Sequence, residues 1–193
     1  MLQNKLSNHH IILASGSPRR QQFLKDLNID FEIRLKDIEE IYPKHLKTSE
    51  ITDYLSKLKA DAFTNELNNN DILITSDTIV WLNNTALGKP KNYNEAFKML
   101  SNLSANTHKV ITSICITSKE NQKIINDTTE VTFKTLTDEE INYYIENYQP
   151  YDKAGAYGIQ EWIGKIGITH IKGSYFNVVG LPVHKLYKEL MNF

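Results

Sequence analysis

The apolar residues of this chain change period from one end to the other, and that change limits its fold more than any other feature. "HIILAS", residues 10–15, is a short apolar run with polar flanks, the pattern of a buried strand. "SPRRQQFLKDLN" follows at once with Phe23, Leu24 and Leu27 on one helical stripe. Ser17 suits its cap, Pro18 its first turn and Asn28 its stop. "IDFEIR" then alternates Ile29, Phe31 and Ile33 with charged residues, as a half-exposed strand does. Helical spacing returns through Ile51, Leu55, Leu58 and Ala62. "DILITSDTIVWLNNTALGKP" reads as strand, break at Asp77 and strand, with Asn83-Asn84 turning the chain. After the amphipathic "NEAFKMLSNLS", the segments "HKVITSICITSK" and "TTEVTFKTL" pair around Glu120-Asn121. Thr137 and Glu140 form a capping box opening a further helix, and "PVHKLYKELMN" is the last one. Hairpins mixed with strand–helix alternation predict an α/β fold with a mixed sheet flanked by helices, not a strictly parallel sheet.

A chain of 193 residues is long enough for one domain, 1–193, built as one body or two small lobes. Its net charge of -1 provides no global basic field, which argues against a stable nucleic-acid partner and makes any anion site local. Cys115 is the single cysteine, so an internal disulfide and a cysteine-based zinc site are both excluded. Its strand-like surroundings read as those of a buried, inert thiol. The opening "MLQNKLSNHH" lacks the apolar stretch of a secretory signal, and no run approaches the ~18 apolar residues of a membrane span. A cytoplasmic protein without a membrane partner is expected.

Polar residues gather at the junctions between these elements. In "ILASGSPRR", Ser15, Gly16 and Ser17 let backbone approach an anion at a helix N-terminus, and Arg19 and Arg20 offer forks suited to phosphate oxygens. The same residues equally describe a capped helix with solvated arginines. Asp77 in "ITSDTIV" is costly to bury unless it is paired or on a metal; the other account of it is a turn or cap. Lys89 lies between Gly88 and Pro90 on what reads as a surface turn. "YDKAGAYGIQ" sets Asp152, Lys153 and Gln160 around Tyr157, with glycines that suit close approach of backbone to a ligand or partner. "IKGSYFNVVGLP" reads as a Gly-Ser turn before an apolar strand. Glu39 and Glu40 are a metal carboxylate source or a solvated charge run, and His108 reads as a core or rim histidine. No H-E-x-x-H and no G-x-S-x-G occurs, which disfavours a zincin and a serine hydrolase.

"ASGSPRR", "SDTIV", "LGKPKNYNEA", "DKAGAYGIQ" and "GSYFNVVGLP", in that order, resemble the Maf family of nucleoside triphosphate pyrophosphatases, from about Ile11 to the final helix. The resemblance implies a fold like that of the inosine triphosphate pyrophosphatases, with two lobes and a central cleft. It implies hydrolysis of a nucleoside triphosphate to monophosphate and pyrophosphate with a divalent cation, Mg²⁺ or Mn²⁺. Position by position, Asp77 matches the catalytic aspartate and Glu40 an acidic residue near the metal. Arg20, Lys59 and Lys89 match phosphate-gripping residues, with Ser15 and Ser17 in the same loop. Arg19, Thr78 and Gln160 match positions that separate subfamilies. The S-D-T and G-I-Q versions are similar to the branch acting on dTTP and UTP, with modified pyrimidine nucleotides as further substrates, rather than to the branch that prefers 7-methyl-GTP. The chain departs from the family at Gln22 (often Glu), Ser76 (commonly Ala) and Glu161 (usually Gly). The family also implies a homodimer, house-cleaning of the nucleotide pool and, as an alternative, a nucleotide-binding regulator of septum formation without turnover.

Overall fold

The computed structural model describes residues 1–192. After helix α1 (Leu2–Leu6), β1 (His10–Leu13) leads through the Ser15–Ser17 turn into α2 (Pro18–Asp26), then β2 (Phe31–Ile33) and α3 (Ser49–Asp61). β3 (Asp71–Leu82) and β4 (Thr85–Leu87) form a hairpin, and α4 (Tyr93–Leu103) follows. β5 (Thr107–Thr117) and β6 (Gln122–Phe133) come next, with Ser118 N–H donating to the Asn121 carbonyl at 2.7 Å in their connection. The chain ends with α5 (Asp138–Tyr148), two short 3₁₀ turns, α6 (Trp162–Gly167), β7 (Ile168–Lys172), α7 (Tyr175–Val179) and α8 (Val183–Asn192). The seven strands make one sheet in the order β2-β1-β3-β5-β6-β7, with β4 on β3. β1 runs parallel to both β2 and β3, setting Ile11 opposite Phe31 and Ile72. β3 with β4 and β6 with β7 are antiparallel, so the sheet is mixed, as the sequence pattern requires.

The chain divides into two compact units. The first holds Met1–Asp77, Thr112–Asp127 and the segment from Gly180 onward; the second holds Thr78–Ile111 and Thr128–Val179. In the first, Ile12, Leu73 and Cys115 from three strands pack with Ala60, Phe63 and Leu67. Ile12 and Leu73 are fully covered, which explains why neither strand alternates: a strand buried on both faces reads as a continuous apolar run. Cys115 is buried there as expected, and burial pushes its thiol up from the ordinary value. In the second unit, His108 stacks on Phe133 at 5.7 Å between ring centroids and meets Tyr157 edge-on at 5.4 Å. This makes it a core histidine rather than a rim one, only 2% exposed.

Several local expectations hold for the stated reasons. Asn28 takes the left-handed conformation after α2, and Asn83 and Asn84 do so in the β3–β4 turn, where two positive φ values match the twist of a tight hairpin. Thr137 and Glu140 make both hydrogen bonds of the capping box on α5. Asn92, not singled out in the sequence, also caps α4, accepting from the Glu95 N–H at 3.0 Å.

Others are corrected. Ser17 occupies the cap position of α2 but makes no side-chain cap bond. β3 runs unbroken through Asp77, because the strand's ladder does not depend on side-chain polarity once the carboxylate has partners. β2 is an edge strand of three residues whose Ile33 is exposed, so the full alternation from Ile29 to Ile33 does not set one buried face. Of the α3 stripe, Ile51 and Leu55 are buried, Leu58 is half-buried, and Ala62 is exposed beyond the end of the helix. "SYFNVVG" is helical, not a strand: Thr129 Oγ1 donates to the Ser174 carbonyl at 3.0 Å, and buried Asn177 donates to the Val110 carbonyl at 3.0 Å.

Candidate active site

The first unit brings five of the candidate residues into one connected group. β1 ends at Leu13 in the core, and the chain leaves it through Ala14 and Ser15. The Ser15 hydroxyl accepts from the Ser17 N–H at 3.3 Å and from Arg20 Nη1 at 3.4 Å, so it organises the turn before α2. Pro18 at the first helical position fixes the backbone for that start. One turn later Arg20 reaches across to two carbonyls. Its Nε donates to Gly180 at 2.9 Å and its Nη1 to Ser76 at 2.8 Å. The second contact holds the peptide immediately before Asp77. Burial pulls the Arg20 guanidinium below its ordinary value, while Asp77 pulls it the other way.

Asp77 lies in β3 and is 6% exposed. Lys59, in the last turn of α3, places Nζ 2.7 Å from Asp77 Oδ1 and 3.0 Å from Glu40 Oε1. One ammonium is thus shared by a buried carboxylate and a half-exposed one. Burial pushes the Asp77 carboxyl above its usual range, against the opposing pull of Lys59 and then Arg20, and Glu40 adds to the rise. A carboxylate whose charged form is made costlier in this way is a better proton acceptor than a solvated one. Neighbouring positions of α3 are tied to the strands by buried polar contacts: Thr75 Oγ1 donates to the Ser56 carbonyl at 2.6 Å, and Thr52 and Ser113 share a hydroxyl contact of 2.6 Å. These fix the helix that carries Lys59.

Ser17 and Arg19 flank this group, both half-buried, at the start of α2. Thr78, Lys89 and Gln160 belong to the second unit. Within it, the Gly155 N–H donates to the Gly88 carbonyl at 3.0 Å, which ties the Lys89 turn to the segment that carries Gln160. Gly155 has a φ of +69°, and a Cβ there would lie 2.8 Å from Val80 Cγ2, so the close approach at this glycine is to a side chain of its own unit. Ala156 is also left-handed, at φ 60°. Both Lys89 and Gln160 are exposed.

Among the described residues no group of three or more His, Cys, Asp or Glu side chains gathers as a metal site, and Glu40 and Asp77 are the two carboxylates that could hold a hard divalent cation. Mg²⁺ is ordinarily held by one or two carboxylates with the remaining positions filled by substrate phosphates and water, and two carboxylates already converging on one cationic group fit that pattern.

Sequence reasoning reached these residues but passed over their supports. The Gly180 carbonyl that anchors Arg20 carries no side-chain signal. Tyr144, whose hydroxyl donates to the Glu161 carboxylate and accepts from the Gly158 N–H at 3.0 Å, is indistinguishable in the sequence from any other helical aromatic.

The sequence pattern of a family described as "Maf-like protein" matches residues 10–193. A dTTP/UTP pyrophosphatase of Flavobacterium psychrophilum is 64% identical, over 100% of this chain and 98% of its own. A dTTP/UTP pyrophosphatase of Flavobacterium johnsoniae is 62% identical over 98% of each. The solved Ham1 protein of Staphylococcus aureus is similar over 64% of this chain and 71% of its own, at 18% identity and a TM-score of 0.47.

Proposed function

The chain belongs to the Maf-like family, and on that premise we propose that it hydrolyses dTTP and UTP to the monophosphate and pyrophosphate. The observation that carries this is a full-length identity of 64% to a relative of that named activity, in a chain whose Asp77, Lys59, Glu40 and Arg20 form one charged group. A regulator without turnover is not favoured, since relatives 64% and 62% identical carry the name of a hydrolase.

Chemically, a water oxygen forms a bond to the α-phosphorus as the bond to the α–β bridging oxygen breaks and pyrophosphate departs. Asp77 orients that water and takes its proton, a role suited to a carboxyl raised by burial. Lys59 holds Asp77 and Glu40 in place and offsets the negative charge brought by the triphosphate. Arg20 fixes the strand at Ser76 and lends its positive field to the same end. Ser15, Ser17 and Arg19, in the turn before α2 and in its first turn, hold phosphate oxygens, and the resemblance gives Lys89 of the second unit the role of a phosphate-gripping residue. A divalent cation, Mg²⁺ or Mn²⁺, held by Glu40 and Asp77, would supply charge neutralisation and a more acidic bound water.

Thymine and uracil present one N–H donor between two carbonyl acceptors. The Gln160 amide has both an acceptor and a donor, so it can pair with that edge, with Thr78 as a neighbouring wall. Cytosine presents a mismatched pattern and leaves buried polar groups unpaired.

By the same resemblance the protein acts as a homodimer; among the described residues no helix is long and apolar enough to cross a membrane. The test is a panel of canonical and modified nucleotides with Mg²⁺ or Mn²⁺, scored for both products. Release of monophosphate and pyrophosphate from dTTP and UTP ahead of dCTP is the expected result; orthophosphate as the product, or no turnover, would overturn it.

A further inference from the structure

Gln160 sits on a turn closed twice over. Its backbone closure is the Glu161 N–H donating to the Gly158 carbonyl at 3.0 Å. The side-chain closure runs through three residues of the same unit. The Gly158 N–H donates to the Tyr144 hydroxyl at 3.0 Å, that hydroxyl donates to the Glu161 carboxylate, and Lys153 Nζ pairs with Glu161 Oε1 at 3.1 Å and Asp152 Oδ1 at 2.6 Å. Tyr144 comes from the buried face of α5 and is fully covered; Lys153 is 9% exposed. Burial and the neighbouring Glu161 push the Tyr144 phenol up from its ordinary value, so it remains a donor across the physiological range. The Glu161 carboxylate lies so close to the backbone that a Cβ on Gly158 would come within 2.8 Å of its Cδ. Glycine at 158 and glutamate at 161 therefore fit as a pair.

We propose that Tyr144, Lys153 and Glu161 form a clamp that holds the Gly158–Glu161 turn and thereby presents Gln160 to the pyrimidine base, making Tyr144 and Glu161 positioning residues for base selection. This rests on the reading of Gln160 as the base-contacting residue. An exposed glutamine on an unbraced turn has to be ordered when the base arrives, and that entropy is subtracted from binding. Here both ends of the turn are fixed beforehand, and Gln160 alone projects between them.

The test compares Tyr144→Phe, Gln160→Ala and the double variant on dTTP and dCTP. Tyr144→Phe removes only the hydroxyl that bridges Gly158 and Glu161. It should raise KM for dTTP about tenfold with kcat within about twofold, and reduce discrimination against dCTP by a similar factor. In the Gln160→Ala background the same change should cost no further discrimination, because the side chain being positioned is gone. Hydrogen exchange at the Gly158 amide, measured without nucleotide, should quicken about tenfold in Tyr144→Phe. If Gln160→Ala abolishes discrimination while Tyr144→Phe leaves it intact, or costs the same with and without Gln160, the clamp is refuted and the base reading survives. If Gln160→Ala leaves discrimination untouched, both fall. Should Tyr144→Phe fail to fold, Glu161→Gln carries the same comparison: it keeps an acceptor for the phenol and removes the partner charge of Lys153, so a smaller loss of discrimination that vanishes without Gln160 is expected, and no loss overturns the clamp.

Discussion

Acid should weaken the second unit through a single side chain, His108. Its Nε2 meets the Tyr157 hydroxyl at 2.8 Å, and its Nδ1 is buried with no hydrogen-bond partner. Burial pushes the imidazole down from 6.5 to about 4. The unfolded chain therefore takes up a proton near 6.5 and the folded one only near 4. Stability is complete above the first value and is lost as the pH falls through the window between them. A gap from 6.5 to about 4, at about 1.36 kcal/mol per unit, comes to about 3 kcal/mol, of which about 2 kcal/mol is already lost at about pH 5. His108→Gln keeps a polar partner for Tyr157 and does not titrate. Both tryptophans, Trp81 and Trp162, belong to this unit, so urea unfolding followed by tryptophan fluorescence reports on it directly. Between about pH 7.5 and about pH 5 the wild type should lose about 2 kcal/mol more than His108→Gln. Equal losses in the two proteins, or a wild type that gains stability on acidification, would refute the reasoning.

Asp77→Asn should lower kcat for dTTP by about a thousandfold, with a melting temperature within a few degrees of wild type, since the neutral amide relieves the burial cost while Lys59 keeps Glu40 at 3.0 Å. Steady-state kinetics beside a thermal melt check both halves. Gly155→Ala, with φ +69° and a Cβ 2.8 Å from Val80 Cγ2, should cost about 2 kcal/mol in urea unfolding; a neutral outcome would mean that Val80 yields freely. Chelation should bring pyrophosphate release to background and added Mg²⁺ should restore it; activity that persists through exhaustive chelation would remove the cation from the scheme.

Much of the fold was legible because it follows periodicity. The β1 and β3 runs, the α4 stripe, the asparagine hairpin and the Thr137 box are local signals that packing reinforces. Where expectation failed, a distant partner decided. β3 continues through Asp77 because Lys59, eighteen positions earlier, takes the carboxylate. "SYFNVVG" coils because Asn177 finds Val110 and Thr129, pairings that no local pattern announces. The site was legible in a different way. The residue types in "ASGSPRR" and "SDT" allowed bland accounts as well as functional ones. Only their order along the chain, through the family resemblance, singled out Asp77, Glu40 and Lys59. Glu161 stood out as a departure and Lys153 belongs to the polar stretch beside it, but the third partner, Tyr144, comes from α5 and had no spacing to betray it.

The tie between Arg20 and the Gly180 carbonyl joins positions 160 residues apart. A ribosome has added 160 residues beyond Arg20 before that acceptor exists. A product released early, or clipped ahead of Gly180, lacks the oxygen that receives the arginine's Nε. For an enzyme directed at nucleotides that the cell also needs for synthesis, this delays assembly of the anchored arginine until Gly180 has been made, and fragments ending before it lack the tie.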